Sequence, residues 1–125
     1  MMLPSETLLS WSDVVERPVV IVLARVSDFA VENLVSDLSD VEHARMQRFR
    51  GERDVQRYVV AHYIKRLFLS KYLSLPMSEL EFDCHAYGKP FCRCPYAPYF
   101  NLSHSDNWVA LSVSTLADVG VDIEF

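Results

Sequence analysis

The sequence predicts an α+β fold. Three observations carry that reading: short β-branched runs bounded by Pro and Gly, one long helical stripe, and an order of strands and helices that never settles into strict alternation. Val19-Val-Ile-Val-Leu-Ala24, set off by Pro18, reads as a buried strand. A helix is expected over 27–38, opened by Ser27. Ser39-Asp-Val-Glu42 is a capping box, in which the serine hydroxyl and the glutamate carboxylate each satisfy the other's free backbone donor. It should start a short helix running to about residue 49. Gly51 breaks that helix, and a longer one is expected over 54–72, where Val60, Ile64, Leu67 and Phe68 form one apolar stripe.

Leu75-Pro76 ends the long helix, because proline lacks the amide the next turn would need. A strand is expected over 80–84, then a turn at Tyr87-Gly-Lys-Pro90 leading into Pro95-Tyr-Ala-Pro98. Further strands are expected over 100–102, 108–114 and 119–124, with Ala110, Ser112 and Ser114 sharing one face of the second. The chain shows no internal repeat, low-complexity segment or domain linker. At 125 residues and 50% apolar composition it reads as one globular domain.

Seventeen acids against 12 bases give a net charge of −5, which argues against a general nucleic-acid binder. The bases are unevenly spread, however: Arg45, Arg48, Arg50, Arg53 and Arg57 fall within thirteen positions. The first residues lack the basic and apolar pattern of a signal peptide, and the longest apolar run, 19–24, is too short to span a membrane. Three cysteines, an odd number, argue against a disulfide framework and for a reducing, cytoplasmic setting.

Several small constellations carry chemistry. In the 119–124 strand, Asp122 and Glu124 share a face while Val121 and Ile123 face the other way. Two carboxylates about 7 Å apart repel by roughly 2 kcal/mol at an effective dielectric near 20. A hard cation reverses that cost, and Mg²⁺ is commonly held by one or two carboxylates with a substrate's phosphates. On spacing alone, a solvated edge strand is the simpler reading.

Lys89 stands between Gly88 and Pro90 at a tight turn, where an ammonium can meet a phosphate as a point charge or simply face water. Ser103 and His104, at the end of an apolar strand, suit an anion, a proton relay or a hydrogen-bonded loop. No acid is spaced to complete a Ser/His/Asp triad. Arg57 follows Arg53 by one helical turn near a helix N-terminus, whose dipole also attracts anions; the plain alternative is a solvated face paired with Glu52 and Asp54. Cys84, Cys92 and Cys94, with His85 and His104, lack the paired spacing of a zinc site.

The order of these segments is more specific than any one of them. Asp54-Val-Gln-Arg57, Tyr87-Gly-Lys-Pro90, Phe100-Asn-Leu-Ser-His-Ser105 and Val119-Gly-Val-Asp-Ile-Glu124 together resemble the Sfp-type 4′-phosphopantetheinyl transferases, from about residue 38 to the end. The resemblance implies transfer of the phosphopantetheine arm of coenzyme A to a serine of an acyl or peptidyl carrier protein. Mg²⁺ is required and 3′,5′-ADP leaves. Such carriers serve fatty-acid, polyketide and nonribosomal-peptide assembly.

It implies Asp122 and Glu124 as Mg²⁺ ligands and, with His104, as the catalytic set. Ser103 and His104 would contact phosphates, Gly88, Lys89 and Pro90 would line the nucleotide pocket, and Arg57 and Arg45 would lie by the 3′-phosphate. The implied fold is one half-domain over 1–125, a small, mostly antiparallel sheet packed on a long helix. The family's second half carries a W-x-x-K-E motif, which neither Trp11-Ser-Asp-Val-Val nor Trp108-Val-Ala-Leu-Ser matches. The expectation is therefore an amino-terminal half that supplies one side of the site and self-associates through the surface its other half would cover. The rival is a non-catalytic module that binds coenzyme A, a nucleotide or a carrier protein. No nucleic-acid or membrane partner is expected.

Overall fold

The computed structural model describes residues 19–115. Strand β1 (Val19–Arg25) alternates strictly, with Val20, Val22 and Ala24 buried and Val19, Ile21 and Leu23 exposed. That alternation follows from the two-residue period of a strand with one covered face. β1 pairs antiparallel with β5 (Trp108–Ser114), Val20 opposite Val113 and Val22 opposite Leu111. β4 (Tyr99–Ser105) pairs antiparallel with the other side of β5, Phe100 opposite Val113 and His104 opposite Val109. The order is β1-β5-β4, so β5 is central and Val109 to Ser114 are all buried.

Helix α1 (Asp40–Met46) begins at the expected capping box. The Glu42 amide donates to Ser39 Oγ at 3.2 Å, and the Ser39 amide donates to Glu42 Oε1 at 2.9 Å. Helix α2 (Glu52–Leu73) is capped by the extended Gly51, so it starts two residues earlier than the stripe suggested. It ends where Ser74 turns left-handed (φ 55°) ahead of Pro76. α2 lies on β4 and β5. All four stripe residues are buried, but so are Val59, Ala61, Tyr63 and Leu69 on other faces. The helix is surrounded rather than amphipathic, because α1 and the segment after β1 cover the sides that the sheet does not.

That segment departs from expectation. Residues 27–38 are not one helix but three 3₁₀ turns, Val26–Asp28, Val31–Asn33 and Val35–Asp37. β-branched residues and Ser, Asp and Asn weaken a continuous helix there. The turns instead let Val26, Phe29, Leu34 and Leu38 each reach the core, Phe29 edge-on to Tyr63 at 6.4 Å. α1 also stops short of residue 49, leaving Phe49 against the ring of Tyr58 at 5.3 Å.

The expected 80–84 strand is shorter: Leu80 is a buried anchor after a 3₁₀ turn at Met77–Glu79, and β2 is Phe82–Cys84. β2 pairs antiparallel with β3 (Pro90–Cys92), a strand absent from the sequence reading because a three-residue strand opening on proline carries no periodic signal. The two form a separate two-stranded sheet. β4 runs three residues past the expected end, since pairing with β5 extends it through its polar residues. The expected 119–124 strand lies outside the described residues. No described helix is long and apolar enough to cross a membrane.

Candidate functional site

A cleft of about 710 Å³ opens between α1, α2 and the β2–β3 hairpin. Its floor is ionic. Glu42, placed by its capping role, is 5% exposed and accepts Lys65 Nζ on Oε2 at 2.8 Å and Arg66 Nε on Oε1 at 2.6 Å. Arg66 also donates from Nη1 to the Met77 carbonyl at 3.0 Å. Lys65 and Arg66 are each 4% exposed, and both lie over the ring of Phe82, Nζ at 3.9 Å and the guanidinium carbon at 5.1 Å from its centre. One carboxylate thus faces two cations, leaving a positive excess at the base of the cleft.

His62 completes the cluster. Its Nδ1 lies 2.9 Å from Lys65 Nζ and 3.4 Å from Glu42 Oε2, and its ring rests on Tyr58 at 4.2 Å. Burial pushes the Glu42 carboxyl upward, but the hydrogen bond with His62, the Lys65 charge and the Arg66 hydrogen bond outweigh it and hold the group well below the usual carboxylate range. Burial lowers the His62 and Lys65 pKa values, against the pull of the Glu42 carboxylate on each.

One buried hydroxyl in this cleft is without a hydrogen-bond partner among the described residues, that of Tyr58, which is 9% exposed. Burial raises its pKa, so it stays a neutral donor. Arg45, on α1, lines the same cleft close enough for its charge to act on Tyr58. A buried donor without an acceptor is costly, so an orphan hydroxyl beside an excess of positive charge fits an anionic ligand.

The hairpin forms the opposite wall. Gly88 takes φ 93°, a backbone that favours glycine, so that its amide can donate to the His85 carbonyl at 2.8 Å and the His85 amide to the Lys89 carbonyl at 2.9 Å. Gly88 and Pro90 thereby face the cleft across from Arg45, with Lys89 half-buried between them.

The remaining predicted residues gather elsewhere. Ser103 and His104 lie in the last three residues of β4, just before the turn at 106–107, at the strand end where the sequence places them. Being consecutive, they point to opposite faces. His104 shares the face of buried Val109 on the α2 side, whereas Ser103 shares that of Ala110 and Leu23. Arg57 does not line the cleft. It is bonded to Asp54, and its Nη1 donates to the Asp106 carbonyl at 3.1 Å. Asp122 and Glu124 lie outside the described residues.

The structure therefore brings together Arg45, Gly88 and Pro90 at one cleft, while Arg57 reaches the Asp106 carbonyl, two residues along the chain from His104. Sequence reading missed Tyr58, His62, Lys65 and Arg66 as cleft residues. Their signal was present: 58, 62 and 65 or 66 are spaced as one helical face.

Comparison with known proteins adds identity to this geometry. Residues 26–116 match the family described as 4′-phosphopantetheinyl transferase, N-terminal. The chain is 35% identical over 94 residues to the 4′-phosphopantetheinyl transferase psf-1 of Bacillus pumilus, covering 75% of this chain and 40% of that protein. To the transferase Sfp of Bacillus subtilis it is 29% identical over 93 residues, covering 74% and 41%. A crystal structure of a holo-(acyl-carrier-protein) synthase from Bacillus anthracis, solved in complex with CoA (3′,5′-ADP), superposes with a TM-score of 0.58 at 15% identity. The match covers 77% of this chain and 92% of that one and shows a shared fold. The chain spans about two-fifths of the length of these curated relatives. With a family match over 26–116, antiparallel sheets and a long central helix, the chain belongs to the 4′-phosphopantetheinyl transferases, matching the N-terminal part of the family.

Proposed function

We propose that this chain forms one half-domain of an enzyme that transfers 4′-phosphopantetheine from coenzyme A to a serine of an acyl or peptidyl carrier protein. The serine Oγ attacks the pantetheine-side phosphorus of the pyrophosphate. The new P–O bond forms as the phosphoanhydride bond breaks, 3′,5′-ADP leaves, and the serine proton passes to a base or to water. Such a transfer depends on positioned charge more than on covalent help from the protein.

The observation that carries this reading is the cleft, which the partnerless Tyr58 hydroxyl and Arg45 line together with Lys65, Arg66, Gly88 and Pro90. These groups suit a phosphorylated nucleoside end. Lys89, Ser103 and His104 are assigned to the remaining phosphate contacts, and Arg57 to the same end of the site. Asp122 and Glu124 offer the hard oxygen donors that Mg²⁺ takes, and a bound Mg²⁺ would neutralise pyrophosphate charge. The other wall of the site would come from the part of the transferase that lies beyond the matched segment. Setting and pathway follow the same reading: a reducing cytoplasm and the carriers of fatty-acid, polyketide or nonribosomal-peptide assembly.

A second reading is a non-catalytic module that binds coenzyme A or a carrier protein through the cations of the cleft, Arg45, Lys65 and Arg66. One experiment separates the two. The chain is incubated with coenzyme A, Mg²⁺ and an apo carrier protein, and the carrier's intact mass is measured beside a calorimetric titration of coenzyme A. A gain of one phosphopantetheine establishes the enzyme. Binding without gain supports the module, and neither result with a folded chain removes both readings.

A further inference from the structure

The cleft accounts for only part of the arginine cluster between α1 and α2. Residues 45–57 hold five of the 12 bases but two of the 17 acids, so the rest of the chain carries seven bases against fifteen acids. Arg45 lines the cleft, Arg57 is assigned to the same end of the site, and Arg53 faces Asp106. Arg48 and Arg50 have no such place. Both are exposed, and neither side chain makes a hydrogen bond or ion pair among the described residues.

The backbone fixes where these two stand. The Arg48 amide donates to the Arg45 carbonyl at 3.1 Å and the Phe49 amide to the Met46 carbonyl at 3.2 Å, so the chain winds one turn past the end of α1. Phe49, between the two arginines, packs its ring on Tyr58 at 5.3 Å, and Tyr58 lines the cleft. Two unpaired cations are thereby held beside the cleft, one of them a single turn from Arg45. Like charges one turn apart disfavour a helical end, and no described carboxylate relieves this pair. Exposed charges of this kind act through their field, which steers an ion toward a site, more than through contact.

We propose that Arg48 and Arg50 form an electrostatic rim that draws a multiply charged phosphate ligand to the cleft, speeding its capture without touching it once bound. The inference rests on the coenzyme A reading, whose pyrophosphate and 3′-phosphate make that ligand a polyanion. On a chain that is otherwise mostly acidic, the rim offers an approach where such a ligand is attracted. It borders a cleft of about 710 Å³, the size of a small-molecule site rather than of a broad protein interface. Steering depends on charge and not on the guanidinium fork, so lysine should serve as well as arginine.

The test compares the wild type with an Arg48→Gln, Arg50→Gln double variant and an Arg48→Lys, Arg50→Lys double variant, each checked for an unchanged thermal melt. Association and dissociation rates of coenzyme A are measured by surface plasmon resonance from about 0.01 to about 0.15 M salt, over which the screening length shrinks from about 30 Å to about 8 Å. The rim predicts association about fivefold slower in the glutamine variant at the lowest salt, closing to within about twofold at the highest, with dissociation within about twofold throughout. The lysine variant should match the wild type. Faster dissociation in the glutamine variant overturns the proposal, because it would make these residues ligand contacts. So does association at the wild-type rate in low salt, or a slow lysine variant. If coenzyme A does not bind the wild type, the coenzyme A reading fails, and inorganic tripolyphosphate, titrated by calorimetry at the same salts, decides the rim. Salt-sensitive binding that the glutamine variant loses keeps it, and absence of such binding removes it.

Discussion

Arg66 Nε and Glu42 Oε1 meet at 2.6 Å across 24 residues of chain, on the same carboxylate oxygen that accepts the Ser39 amide and caps α1. One side chain thus closes a helix end, joins α1 to α2 and supplies the negative pole of the cleft floor.

Removing that charge leaves Lys65 and Arg66 buried against each other. Glu42→Gln is expected to destabilise the fold by about 3 kcal/mol, the scale for breaking a buried ion pair from one side. Urea unfolding gives the figure. A loss within about 0.5 kcal/mol, the scale of an ordinary surface change, would mean the cations relax into solvent.

Stability should fall with acid in two stages. Folding lowers the pKa of both His62 and Glu42, so the unfolded chain binds more protons at each, and stability rises with pH. The His62 share is complete above its ordinary value of 6.5 and shrinks as pH drops below it. The Glu42 share is complete above 4.5 and is lost below that. Thermal melts from pH 8 to 3 at fixed ionic strength should show both stages, and His62→Gln should flatten the first alone.

Tyr58→Phe separates stability from binding. Deleting an unsatisfied buried hydroxyl should leave stability unchanged or raise it by about 1 kcal/mol. Affinity for coenzyme A should fall about tenfold, the worth of a hydrogen bond to a charged group. Melting and calorimetry on one preparation measure both, and an unchanged affinity would remove Tyr58 from the site.

The outer face of β1 should draw copies together. Val19, Ile21 and Leu23 are 44%, 58% and 57% exposed in a row, an apolar strip on what is, among the described residues, an edge strand. Sedimentation at rising concentration should show association that Ile21→Lys abolishes. A monomer throughout would count against it.

In the full transferase, Asp122→Ala should abolish Mg²⁺-dependent transfer. Full activity in that variant, read by carrier mass, would sink the metal assignment.

Local chemistry was legible without coordinates. The Ser39–Glu42 box, the stripe of α2 and the bounds of β5 each depend on bonds or periodicities within a few residues, and each is as the sequence predicts. The order of the four motifs carried the family in the same way. Tertiary structure decided what those segments mean for one another. Residues 27–38 become three turns because Phe29, Leu34 and Leu38 must reach a core that α2 and the sheet define. β3 exists because β2 offers it a partner. Glu42 meets Lys65 and Arg66, and Arg57 meets Asp106, over separations of 23, 24 and 49 residues, where no spacing rule operates. Such pairings are set by which faces pack together, and packing is a property of the whole chain.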